Sequence, residues 1–238
     1  MGRSTSRTTA TVASCTPCCG GSQAREPAVA RPRVRRTRTI AAGGGIGLDS
    51  PAHHDPSAGV PQVTIESADD LRAKIREVPD FPKPGILFYD ITTLLKEPAA
   101  FRAVIDQMAN QVRGAKIDLV VGMESRGFIF SAPLAYQLDA GFVPVRKLGK
   151  LPAETIEVEY SLEYGTATLE IHRDAIRAGQ RVLIVDDLLA TGGTVMGTIE
   201  LVRRLGGEIA GLSFMVELTA LHGREQLGEF EIHTLLTY

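Results

Sequence analysis

Two adjacent carboxylates, Asp186 and Asp187, stand two residues ahead of Ala190-Thr191-Gly192-Gly193-Thr194, separated from it by Leu188 and Leu189, in this 238-residue chain. A Gly/Thr-rich turn that opens a helix offers free backbone N–H groups and the positive end of a helix dipole to a phosphate. Glycines let the backbone come close, and the threonine hydroxyls add donors. The neighbouring carboxylates suit ribose hydroxyls or a phosphate-bound Mg2+. The segment is not a Walker loop, because no Lys follows the glycines. It is not a dinucleotide fingerprint either, since G-x-G-x-x-G is absent. A plainer alternative is a tight turn whose Asp and Thr only cap a helix. Two acids ending a buried strand immediately before the turn favour a bound phosphoribosyl group instead.

Three other stretches carry reactive side chains. Gly122-Met123-Glu124-Ser125-Arg126-Gly127-Phe128 offers an Arg, a Ser hydroxyl and free N–H groups to an anion, although a helix-capping acid explains it as well when it is taken alone. Arg146, Lys147 and Lys150 place three cations within five residues, either as a solvated loop or as charge for a polyanion. Ser161-Leu162-Glu163-Tyr164-Gly165 sits between two alternating segments as the tip of a hairpin.

The elements that must position these groups are legible from pattern. Val182-Leu183-Ile184-Val185 is a short, mostly β-branched apolar run and reads as a fully buried parallel strand ending on the acids, followed by a helix to about Leu205. Ile117–Val121 reads as a second buried strand, Phe142–Val145 as a third and Glu208–Leu218 as a fourth. Residues 155–171 alternate and predict a two-stranded flap. Ser67 with Asp69 and Asp70 predicts an N-capped helix through about Val78, with Leu71, Ile75 and Val78 on one face. Glu97-Pro98 opens another helix to about Val112, with Phe101, Val104, Ile105 and Met108 inward. Between them, the three prolines of Pro79–Ile91 hold the chain extended. A short helix over 223–227 and a strand over 232–236 close the sequence. Alternating strands and helices from about residue 117 argue for an open, mostly parallel α/β sheet, with ligands outside the carboxyl ends of its strands.

Composition limits the remaining possibilities. A net charge of −2 argues against a general nucleic-acid binder. The charge is uneven: residues 1–50 hold eight Arg, no Lys and only Glu26 and Asp49 as acids. No apolar stretch approaches the roughly 20 residues of a membrane span, and a secretory h-region is missing. The three Cys, at 15, 18 and 19, all lie in that basic tail, so a disulfide framework is excluded for the body and a reducing, cytoplasmic location is expected. A zinc site there would need four ligands, and no second pair stands at suitable spacing. Residues 1–61 are therefore expected to be a disordered basic extension, and 62–238 the folded domain. The extension resembles an organelle transit peptide, or is upstream sequence from a start placed too early. Val60 or Val63 would then begin the chain, and this second reading is preferred.

The segment Arg181–Gly197, RVLIVDDLLATGGTVMG, resembles the substrate loop of type I phosphoribosyltransferases, and its wording is similar to that of the adenine-specific members. FPKPGILFYDI, GMESRGF and SLEYG resemble the same family in the same order, so the likeness spans residues 62–238. The resemblance implies an open, mostly parallel sheet flanked by helices, with a small hood and a flexible β flap. It also implies transfer of a phosphoribosyl group from 5-phosphoribosyl 1-pyrophosphate (PRPP) to N9 of adenine, giving AMP and pyrophosphate. Ala190, Thr191, Gly192, Gly193 and Thr194 would hold the 5'-phosphate, and Asp186 and Asp187 the ribose. Glu124, Ser125, Arg126, Lys147, Lys150 and Tyr164 would serve the pyrophosphate, on a loop that in this family commonly has a non-proline cis peptide. Backbone groups near Leu87 and Tyr89 would read the purine edge, with Phe88 in the same segment and Leu218 facing the base from the other side. Tyr89 stands where many members of the family carry Arg. Glu163 is the expected proton-handling group. Mg2+ would be carried mainly by PRPP, with no metal cage in the protein. The resemblance further implies a homodimer, while the net charge and the lack of an apolar span lead to the expectation of no specific nucleic acid and no membrane as partners. Two other functions compete: a transferase for 6-oxopurines, which lacks this hood, and a PRPP-sensing regulator, for which no helix-turn-helix is present.

Overall fold

The computed structural model describes residues 67–161 and 166–238. Its centre is a seven-stranded sheet of order β5-β6-β4-β3-β7-β8-β9. Strands β3 (Leu119–Met123), β4 (Gly141–Lys147), β7 (Arg181–Leu189), β8 (Glu208–Glu217) and β9 (Ile232–Thr237) run parallel to one another. Strands β5 (Thr155–Ser161) and β6 (Thr166–His172) are antiparallel additions. The expected flap is thus continuous with the sheet edge: β6 pairs with β4 at Arg146↔Glu170 and Lys147↔Leu169.

The apolar run in β7 feeds two cores because successive side chains leave a strand on opposite faces. Leu183 and Val185 enter the layer formed with α3 (Pro98–Gln111) and α4 (Gly127–Gln137). Val182 and Ile184 enter the layer formed with α5 (Gly193–Arg204). All four are fully buried. Both faces of the strand are covered, which is why its sequence shows a continuous apolar run with no polar alternation.

Chain direction divides between β3 and β7. From β3 the chain passes through α4 to β4 on one side, and from β7 it passes through α5 to β8 on the other. A crevice opens at such a switch point, beyond the carboxyl ends of the two strands. Pairing of β3 with β7 stops at Gly122↔Val185, whereas β7 continues beside β8 as far as Leu189↔Glu217. Asp186 and Asp187 therefore lie inside β7, at the point where it loses β3 as a neighbour. They do not end the strand, as the sequence had suggested.

The N-terminal elements depart further from expectation. Helix α1 is only Ala68–Arg72, closed by a reciprocal Ser67/Asp70 capping box. It does not reach Val78. Arg76–Pro79 forms β1, paired antiparallel with β2 (Leu87–Asp90), with Val78 opposite Phe88. Two effects outweigh the helical periodicity: Pro79 biases Val78 away from helical backbone, and Arg76 meets Asp90 directly across the pair at 2.6 Å. Asp90 is held down to about 2 by hydrogen bonds from the side chain and backbone of Thr92 and from Arg76. The hairpin between β1 and β2 contains a cis Phe81–Pro82 bond. Its turn is fixed by the Gly85 N–H donating to Asp80 Oδ1 at 2.7 Å, with Gly85 at φ +86°. A four-residue helix α2 (Thr92–Leu95) then leads to α3. Strand β3 begins two residues later than Ile117, and Gly122 and Met123 belong to it.

Gly122 brings α4 against the sheet. A methyl group there would overlap the Ser131 hydroxyl and come within 3.1 Å of the Phe142 ring. Gly122→Ala should lower stability by about 1–3 kcal/mol in urea unfolding, and adding Ser131→Gly should recover part of the loss. No recovery would place the strain elsewhere.

Candidate active site

The site is assembled around the acidic pair. Asp187 accepts from Arg126 Nε at 2.8 Å, and its carboxylate is nearly inaccessible to solvent. Asp186 Oδ1 accepts the Asp187 backbone N–H at 2.9 Å. A Cβ on Gly127 would stand 2.7 Å from that same Oδ1 and 3.1 Å from the Val185 carbonyl, so only glycine lets the loop after β3 pass so close. The loop has a cis Glu124–Ser125 bond, in agreement with the expectation for this segment. Burial raises the Asp186 carboxyl well above the ordinary range, and the neighbouring Asp187 charge adds to it. Burial also raises Asp187, with Arg126 acting in the opposite direction. Two desolvated acids thus lie side by side with one guanidinium, an arrangement that becomes favourable when hydroxyl donors or positive charge arrive.

The cradle follows directly. Gly192 is the N-cap of α5 at φ +87°, with no side chain capping the helix, so the first N–H groups face outward. Gly223, at the start of α6 (Gly223–Gln226), passes so near that a Cβ on it would strike the Ala190 carbonyl. Ala190, Thr191, Gly193 and Thr194 are partly accessible around this turn, and Gly192 is buried beneath it.

The cations at the end of β4 and in the turn after it are organised by two carboxylates, the half-buried Glu124 and the buried Glu170. Glu124 receives Arg146 Nε at 3.3 Å, Lys150 Nζ at 3.2 Å and the Lys147 N–H at 3.1 Å. Burial opposes ionisation of Glu124, but these hydrogen bonds prevail and its pKa is lowered. Glu124, expected among the pyrophosphate contacts, points at the cations beside it. Glu170 accepts the Lys150 and Leu151 N–H groups at 2.7 and 2.8 Å and fixes the turn that carries Lys150. The sequence singles out Arg146 only as one of three neighbouring cations and does not single out Glu170. The cation run marks Arg146, whereas nothing local marks Glu170.

Leu87, Phe88 and Tyr89 from the hood come together with Leu218 around a cavity of about 110 Å³, closed by Leu188, Val216, Arg126 and Asp187. Four residues expected at a base are thus gathered in one place, next to the acidic pair. Arg126 lies 5.9 Å from the Phe88 ring centroid and so touches both the hood and Asp187. Glu217, just before Leu218, is held by Arg224 through two contacts of 2.9 and 2.6 Å, and these hydrogen bonds keep its carboxyl low. Glu163 and Tyr164 lie outside the described residues. Among the described residues, no three His, Cys, Asp or Glu side chains converge as a metal cluster.

The raised carboxyl has a consequence for stability. A folded-state pKa above the unfolded value contributes stability that is complete below the unfolded pKa and lost as pH rises through the folded one. Asp186→Asn should flatten the loss of stability that sets in as pH rises above the ordinary Asp range when melting is followed across pH. An unchanged slope would show that the pair is not strained.

Comparison with known proteins agrees with this geometry. Residues 90–228 match the family described as phosphoribosyl transferase domain. The adenine phosphoribosyltransferase of Acidobacterium capsulatum is 60% identical over 172 residues, which is 72% of this chain and 95% of that protein. The crystal structure of the adenine phosphoribosyltransferase from Thermoanaerobacter pseudethanolicus matches with a TM-score of 0.71 at 53% identity, over 72% of this chain and all of that one. The enzyme from Saccharomyces cerevisiae, crystallised with adenine and an imino-altritol bisphosphate, matches with a TM-score of 0.67 at 42% identity, over 71% of this chain and 97% of that one. A shared domain, a shared sheet and high identity over nearly the whole length of these relatives lead to one assignment: the chain belongs to the phosphoribosyltransferase family and, within it, to the adenine phosphoribosyltransferases.

Proposed function

We propose that the chain transfers the 5-phosphoribosyl group of PRPP to N9 of adenine, releasing AMP and pyrophosphate. The observation that carries this reading is the meeting, at one switch point, of a hooded base cavity, an acidic pair of which Asp187 is buried, and a helix N-terminus able to take a phosphate. The bond from C1' to the pyrophosphate oxygen breaks with its electron pair going to the leaving group. N9 supplies the pair for the new bond to C1' and loses its proton.

Thr191, Gly192, Gly193 and Thr194, with Ala190, would bind the 5'-phosphate through the free N–H groups and hydroxyls of the turn. Asp186 and Asp187 would accept from the ribose hydroxyls, and their negative charge would favour the oxocarbenium character that grows at C1'. Arg126 is supported as the link between base and ribose by its contacts with Phe88 and Asp187. Ser125, Arg126, Lys147 and Lys150 would meet the pyrophosphate, and Glu124 would hold Lys150 and Arg146 in place for it. Leu87 and Tyr89 would read the purine edge through their backbone, while Phe88 and Leu218 bound the cavity. Glu163 and Tyr164 would close from the tip between β5 and β6, Glu163 as the proton-handling group and Tyr164 as a barrier to water.

The donor set fits Mg2+ as an ion borne by the substrate. Two carboxylates, one already paired with Arg126, do not make a cage, whereas Mg2+ commonly sits on one or two carboxylates with phosphate oxygens and water. When bound, the ion offsets charge on the departing pyrophosphate, and Asp186 and Asp187 are the acids that would face it.

A homodimer is supported by apolar side chains left on the surface, above all Tyr136, 91% exposed, with Ile129 and Phe142. A cytoplasmic location is supported by the absence of cysteine from residues 62–238 and by the lack, among the described residues, of a helix long and apolar enough to cross a membrane. Residues 1–61 are proposed to be an extension outside the catalytic domain. Matches of 71–72% of this chain to nearly complete relatives support that division.

The test is a panel of bases offered to the purified chain with PRPP and Mg2+: adenine, hypoxanthine, guanine, xanthine and orotate. AMP from adenine alone is the expected result. Turnover of a 6-oxopurine would show that the hood is misread, and inactivity with every base would favour a PRPP-sensing regulator.

A further inference from the structure

The two walls of the base cavity come from distant parts of the chain. One wall is β2, half of a two-stranded hairpin, a unit with little independent stability. The other is the turn after β8 that carries Leu218. Tyr238 touches both. Its ring centroid lies 3.9 Å from that of Tyr89, with 34° between the planes. Its main chain brackets Leu218: the Tyr238 N–H donates to the Glu217 carbonyl at 2.9 Å, and its carbonyl accepts from the Thr219 N–H at 2.9 Å and the Thr219 hydroxyl at 2.7 Å. Arg72 holds the same segment from α1, with its guanidinium carbon 5.3 Å from the Tyr238 ring centroid and a hydrogen bond to the Thr237 carbonyl at 3.1 Å.

We propose that Tyr238 is a positioning residue for base binding, setting the separation between the hood and the Leu218 turn through its stack on Tyr89. The Tyr89 ring is engaged by Tyr238, which leaves the Tyr89 backbone at the cavity as the part that meets the base. This assigns Tyr89 its side-chain function in this chain. An aromatic pair gives the hood a fixed plane to rest on, where an aliphatic contact would leave it free to slide. The main-chain bonds of Tyr238 survive substitution, so removing the ring isolates the hood contact from the Leu218 contact. The inference rests on the adenine transferase reading.

Steady-state kinetics on Tyr238→Ala, Tyr238→Leu and Tyr238→Phe in the full chain, with melting followed alongside, tests the assignment. Tyr238→Ala should raise KM for adenine about tenfold while KM for PRPP and kcat at saturating adenine stay within about twofold. Tyr238→Phe should behave as the unaltered chain, because the stack uses the ring and not the hydroxyl. Tyr238→Leu keeps apolar bulk and serves if the alanine variant does not fold. It should still raise KM for adenine, by less than alanine would. Unchanged adenine KM in the Ala or Leu variant, or parallel loss in both substrates and kcat, would overturn the positioning role. If the unaltered chain makes no AMP from adenine, the transferase reading falls first and this inference with it. If the unaltered chain is active and only the variants disagree, the positioning role alone is lost.

Discussion

Placing two carboxylates side by side in a desolvated site is the costly step around which this structure is arranged. Asp186 and Asp187 lie where β7 has lost β3 as a neighbour but is still paired with β8, so the backbone is held while one side of the strand is open. Arg126 compensates for part of the charge, and its position depends on Gly127 allowing the loop to run against Asp186. The remaining mismatch is expressed as raised pKa values, caused first by burial. A site that is electrostatically incomplete without ligand is suited to a substrate bearing hydroxyl donors and a carbon that becomes electron-poor.

Sheet topology turns this local feature into a complete site. The divergence of α4 and α5 to opposite faces opens the crevice, and the same divergence places the α5 N-terminus and the cis-peptide loop after β3 on either side of the acids. Glu124 and Glu170 then fasten the cation-bearing turn to that loop and to β6. The strand that follows residues 162–165, β6, is thereby joined to β4, which carries Arg146 and Lys147. The hood is the least integrated part. It reaches the sheet through Arg126 against Phe88 and through Tyr89 against Tyr238.

Much of this was legible in the sequence where the physics is local. An apolar β-branched run, an acidic pair and T-G-G-T identify strand, site and helix start without long-range information. Pro98 and the apolar spacing after it locate α3 to within a residue of its end. Helix α1 was overextended because Leu71, Ile75 and Val78 fit a helical stripe, although Pro79 and an opposite strand determine the backbone there. The extension of β7 past the acids depends on β8, and the bond of Arg126 to Asp187 links residues from separate βα units, so neither leaves a spacing signal. Glu170 has the look of an exposed strand residue in an alternating segment, yet it is buried on two backbone N–H groups. The meeting of Leu87, Phe88 and Tyr89 with Leu218 around one cavity was anticipated through family likeness. Its dependence on Tyr238 was not, since no pattern connects Tyr89 with a residue so far along the chain.

The acidic pair is proposed to bind the ribose end of PRPP whichever base follows. Equilibrium binding of PRPP with Mg2+ and no base, compared between the unaltered chain and Asp187→Ala, tests it most directly. The account predicts an affinity loss of about tenfold or more, on the order of 1.4 kcal/mol, in a variant that still melts cooperatively. Unchanged PRPP affinity in a folded Asp187→Ala chain would contradict it and return the acidic pair to a purely structural role.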